Sequence, residues 1–182
     1  MSGPFDDLLS ANQSYRATFR HGGFDGEARA GVAIVTCMDS RIDPLGMVGL
    51  APGDAKIFRN PGGRVTPQAL TALVLGVHLL KVKRVLVVPH TRCAMAVPDE
   101  QVLQDRLSEA SGMDSSWLPL GTVPDQEKAL REDVHKVRSH RWCPSGSTSV
   151  ASSTTSTPVS CASCSDPHVR RNRLVLPPYG GC

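Results

Sequence analysis

The chain has 182 residues, of which 40% are hydrophobic and 20% charged, with a formal net charge of +3. That length suits one domain with an appendage and buries a good core, while so weak and evenly spread a charge argues against a nucleic acid or a membrane surface as partner. No apolar run approaches a membrane span, and MSGPFDDLLSANQSYRATF at the N-terminus carries two acids and no apolar leader core. The expectation is a cytoplasmic protein in a reducing compartment, where cysteines are more often ligands or nucleophiles than disulfides.

The first element is AGVAIVTCMDSR, residues 30–41, in which Val32 to Val35 are small or β-branched and the polar end breaks the run. It reads as a buried parallel strand followed by a loop. DAKIFRNPGG, 54–63, is a second short strand closed by the turn residues Pro61, Gly62 and Gly63. From 66 to 82, Thr66 is a candidate N-cap, Pro67 suits the first helical position, and Leu70, Leu73, Val74, Val77 and Leu80 recur at helical spacing. This helix is broadly apolar, so it is expected to be well buried, with His78 a structural residue inside it. VKRVLVVPHTRC, 82–93, is a third strand ending in a polar loop. Strand, helix and strand in that order imply a parallel sheet with a crossover. Two amphipathic helices follow, at 99–112 with Gly112 as C-cap and at 124–140 with Asp125, Gln126 and Glu127 in its first turn.

Ligands of an open parallel sheet bind beyond the carboxyl ends of its strands. Cys37 and Asp39 lie just past the end of the first strand, and His90 and Cys93 just past the third. Two cysteines and a histidine are a zinc set that leaves a fourth position open for water, as catalysis requires. Taken alone, Cys37 reads rather as a small core hydrophobe and His90 as a satisfied loop histidine; their meeting at one sheet edge carries the metal reading. Arg59 and Asn60 are expected to serve their loop structurally.

C-x-D-x-R (Cys37, Asp39, Arg41), then a strand ending RNPGG, then H-x-x-C (His90, Cys93) resembles the β-class carbonic anhydrases over about residues 5 to 140. The resemblance implies an α/β fold with a parallel sheet and flanking helices. It implies one Zn2+ per chain on Cys37, His90 and Cys93, with Asp39 and Arg41 as the catalytic dyad. The implied activity is reversible hydration of carbon dioxide to bicarbonate by hydroxide generated at zinc, in a homodimer or higher homo-oligomer. The alternatives are a non-catalytic zinc-binding pseudoenzyme, or a hydrolase of a related small molecule such as carbon disulfide. Two departures stand out: Arg92 and Ala94 occupy positions where many members carry Asp and Gly.

The tail differs in kind from what precedes it. In RWCPSGSTSVASSTTSTPVSCASCS, 141–165, thirteen of 25 residues are Ser or Thr, with no Asp, Glu or Lys. The organisation expected is therefore a zinc domain over 1–140 and a Ser/Thr/Cys-rich tail over 141–182, disordered or out of frame, with the final edge strand missing from the sheet. One added base before Arg141 lets its codons regroup to spell Pro-Leu-Val-Pro, and further on a glycine-rich strand of the kind the resemblance implies. The competing readings are an unfolded polar tail and a zinc knuckle from Cys161, Cys164, His168 and Cys182, whose ragged spacing is a weak signal.

Overall fold

Val32–Cys37 is apolar or β-branched along its length, and in the computed structural model it forms β1, with every residue buried. The structure describes residues 3–143 and, for the backbone alone, 149–152. β1 lies between β2 (Ala55–Asn60) and β3 (Arg84–Val88), parallel to both. The register sets Cys37 beside Asn60 and Thr36 beside Val88, so the carboxyl ends of the three strands are level. Thr36, fully buried, satisfies its hydroxyl by donating to the Val88 carbonyl at 2.8 Å, which ties the two inner ends together.

Alternation along β1 divides the core, since successive side chains point to opposite faces. Ala33 and Val35 face Val65, Ala69, Leu73, Leu130 and Val137, while Val32 and Ile34 face Met47, Val48 and Leu50. The first face is covered by two helices, α2 (Pro67–Leu79) and α4 (Gln126–Ser139). Between them in sequence runs α3 (Glu100–Ser111), which ends on Gly112 in the left-handed region at φ 69°. The caps follow the chemistry of their residues: Thr66, Asp99 and Asp125 each accept a backbone N–H of the helix they start. A buried ion pair joins α4 to the segment entering α2, where Asp133 accepts from Arg64 Nε at 2.6 Å, Lys136 Nζ at 2.7 Å and the Val65 N–H at 3.0 Å.

Several details differ from the sequence reading. α2 is only half covered: Ala69, Leu73 and Gly76 meet the sheet, but Leu75 and Leu79 are exposed. His78 is on that open side, with its Nε2 against the Trp142 carbonyl at 2.7 Å. An apolar composition on all sides did not make the helix central, because one sheet face is all it meets. An N-terminal helix, α1 (Asp6–Thr18), was not anticipated; it buries no residue, and its apolar side chains Leu8, Leu9 and Tyr15 are exposed. Where no final edge strand was expected, Ser149–Ser152 forms β4, paired parallel with β3. Ladder pairing needs extended backbone rather than apolar side chains, so a polar composition conceals such a strand. The chain also stays packed past residue 140, with Cys143 in the core. The rest of the expected disordered or out-of-frame tail, Cys161, Cys164, His168 and Cys182 included, lies outside the described residues. Among the described residues no helix is long and apolar enough to cross a membrane.

Candidate metal centre

Level strand ends bring distant residues together. Cys37 closes β1, and His90 and Cys93 lie in the loop just beyond β3; all three are buried, with their ligand atoms within 4.8 Å of one another. The sulfurs of Cys37 and Cys93 are 3.8 Å apart. A disulfide would need roughly 2.05 Å, whereas two thiolates each about 2.3 Å from a tetrahedral zinc stand about 3.8 Å apart. His90 Nε2 is buried with no hydrogen-bond partner in the protein, a costly state for a polar atom unless it has a ligand. Burial pushes the His90 imidazole down, against the pull of Asp39, and pushes the Cys93 thiol up. Burial thus favours the neutral forms of His90 and Cys93, and a dication reverses that preference for the thiol. On these grounds the residues fit a single zinc ion.

Asp39 stands beside the cluster, with Oδ2 3.7 Å from His90 Nε2. Its carboxylate is held by Arg41: Nη2 donates to Oδ2 at 2.6 Å, and Nε and the backbone N–H both donate to Oδ1 at 2.9 Å. Those bonds hold the Asp39 carboxyl well below the usual carboxylate range. Asp39 in this structure is therefore paired with Arg41. All five residues singled out in the sequence meet at one site.

Among the supporting residues, Arg59 and Asn60 were expected to serve their loop, and Asn60 does so, its side chain donating to the Arg64 carbonyl and accepting the Arg64 N–H, both at 2.8 Å. Arg59, on β2, reaches over the loop that follows β1, donating from Nε to the Cys37 carbonyl at 2.9 Å and from Nη2 to the Asp39 carbonyl at 2.5 Å. Asn60 accepts the Met38 N–H on its carbonyl at 3.1 Å, extending the ladder past Cys37. Gln126, at the start of α4, donates to the His90 carbonyl at 2.9 Å. Gly63 lies flat against Cys37: at φ 66°, an added Cβ would sit 2.9 Å from the Cys37 nitrogen. The sequence signalled the RNPGG loop, but not Gln126 nor which carbonyls Arg59 would reach, because every residue possesses a carbonyl.

The chain matches the family model described as carbonic anhydrase over residues 32–153. It is 28% identical over 132 residues to β-carbonic anhydrase 1 of Mycobacterium tuberculosis, covering 72% of this chain and 80% of that one. It is 32% identical over 126 residues to a carbon disulfide hydrolase of Acidithiobacillus thiooxidans, covering 65% of this chain and 58% of the other. Its structure superposes on a carbonic anhydrase of Streptococcus mutans with a TM-score of 0.74 and 29% identity, over 85% of this chain and 93% of that chain.

Proposed function

We propose, because this chain belongs to the β class of the carbonic anhydrase family, that it converts carbon dioxide reversibly to bicarbonate at one zinc ion held by Cys37, His90 and Cys93. Zinc at such a site supplies a water acidic enough to ionise near neutral pH. Zinc on these three donors would leave a fourth position for that water, and Asp39, whose Oδ2 is 3.7 Å from His90 Nε2, would accept a hydrogen bond from it. Arg41 keeps the Asp39 carboxylate ionised and turned toward the guanidinium. The observation that carries the reading is the partnerless, buried His90 Nε2 beside two sulfurs at tetrahedral spacing.

The test is stopped-flow carbon dioxide hydration with zinc content measured on the same preparation, for the parent chain and Cys37→Ser. Hydration with one zinc per chain, both lost in the variant, supports the reading. Bound zinc without turnover would make the chain a zinc-holding pseudoenzyme instead. The carbon disulfide hydrolase relative motivates a second assay, sulfide release from carbon disulfide by the same preparation.

The protein is further proposed to be cytoplasmic and to assemble as a homodimer or higher homo-oligomer. α1 supports the assembly: it buries nothing of its own, while Phe5, Leu8, Leu9, Tyr15 and Phe19 in and beside it are exposed. Sedimentation of the parent chain and of Leu8→Asp checks this, the variant moving toward the monomer.

A further inference from the structure

Only two non-glycine residues among those described have positive φ, Lys81 and Arg92. Arg92 is at φ 55° in the turn between His90 and Cys93. The left-handed region is unfavourable for a residue with a Cβ, and such strain persists where the surrounding structure uses the conformation. The use here is visible, since Arg92 presents its backbone carbonyl to Arg41, whose Nη2 donates to it at 3.3 Å. The same Nη2 donates to Asp39 Oδ2 at 2.6 Å. One nitrogen thus links the loop after β1, which carries Asp39, to the loop after β3, which carries His90 and Cys93. The Arg41 side chain is about half exposed, and an arginine at the surface has many rotamers to lose when it is held in one.

We propose that Arg92 is a positioning residue whose left-handed backbone clamps Arg41 through its carbonyl, so that Arg41 keeps Asp39 turned toward the guanidinium and away from the metal. The part played by Arg92 is conformational, and its guanidinium is dispensable to it. The proposal rests on the functional reading above for its consequence, but its geometry stands on the two hydrogen bonds and the backbone angle.

The experiment is a series at position 92: Arg92→Gly and Arg92→Asn, which tolerate φ near 60°, against Arg92→Val and Arg92→Ile, which do not. Arg92→Ala against Arg92→Asn supplies a milder pair should the branched variants fold poorly. Each is assayed for carbon dioxide hydration and zinc content, and each is loaded with Co2+ to record the visible absorption of the metal. Gly and Asn should exceed Val and Ile in kcat by about tenfold, with zinc at one per chain throughout, as a conformational cost of this size implies. In the cobalt spectra, Val and Ile should lose the parent band shape as Asp39 is freed to reach the metal, while Gly and Asn keep it. If Gly and Asn fall together with Val and Ile, the guanidinium is what matters and the proposal is overturned. If the spectra and rates do not depend on the residue at 92, the clamp does not exist. Should the parent chain hydrate no carbon dioxide, the functional reading fails, and the cobalt spectra still decide the clamp.

Discussion

The Cys37 and Cys93 sulfurs face each other at 3.8 Å, although 56 residues separate them in the chain. Two thiolates at that distance repel unless a cation lies between them, so the metal and the fold should stabilise each other. Stripping zinc with a chelator is expected to lower the melting temperature by about 10 °C, the shift for a ligand bound at roughly a thousandfold over its dissociation constant. Differential scanning calorimetry with and without chelator checks it. Cys93→Ser should show no chelator-dependent shift.

Arg41 and Asp39 make three hydrogen bonds between them. Arg41→Gln removes the charge and the fork, so kcat for hydration should fall by about 100-fold, the scale for losing a preorganised electrostatic partner. Zinc content should stay at one per chain, because neither residue is needed to hold the metal. Loss of zinc in this variant would instead show that the dyad shapes the ligand cluster itself.

Gly63 has no space for a side chain, its missing Cβ falling 2.9 Å from the Cys37 nitrogen and 3.0 Å from the Thr36 carbonyl carbon. The obstructing atoms are backbone of the central strand, which cannot swing aside. Gly63→Ala should cost about 2–4 kcal/mol from this clash and the positive φ together. Urea unfolding measures the loss, and zinc affinity should fall with it because Cys37 is what must move.

Gln126 holds the His90 carbonyl from α4, which fixes the backbone from which the imidazole projects. Gln126→Ala should weaken zinc binding by about tenfold, as the loss of an outer partner commonly does. A competition titration against a chromophoric chelator reads this directly. An unaltered affinity would reduce the bond to a contribution to folding alone.

Asp133 is buried with Arg64, Lys136 and the Val65 N–H around it. Burial alone would raise its pKa, but those bonds outweigh it and hold the carboxyl below its usual value. The unfolded chain therefore takes up a proton on this group near pH 4, before the folded chain does. Its stabilisation is complete above about pH 4 and is lost as pH falls through the lower, folded pKa. Asp133→Asn should destabilise the protein by about 3 kcal/mol at neutral pH, leaving the Arg64 guanidinium against an uncharged partner. The gap between the parent and Asp133→Asn in urea midpoint should hold from neutral pH down to about pH 4 and narrow as the pH falls further.

The legible parts of the molecule were those in which a residue type carries its own consequence. A run of small and β-branched residues ending at Cys37 dictates a buried strand, since only burial on both faces tolerates it. Cys37, His90 and Cys93 announce a soft-metal site by their chemistry, and strand order places them at one edge. Thr66 with Pro67, and Asp125, mark helix starts because their side chains or missing N–H groups suit those positions. α1 was missed and His78 misled, because exposure is decided by what an element meets rather than by its composition.

Sequence alone thus picked out the candidate metal donors and the strand framework that brings them together, through the identities of Cys37, His90, Cys93 and the residues of β1 and β3. Only the tertiary structure decided how the donors are held. Arg59, Gln126 and Arg92 act on or through main-chain carbonyls, and a carbonyl is the same at every position, so no spacing or residue type foretells which one a side chain will reach. The pairing of Asp39 with Arg41, linked by one nitrogen to the Arg92 carbonyl, is a property of the meeting of two loops, and it exists only once the parallel strands have set their ends level.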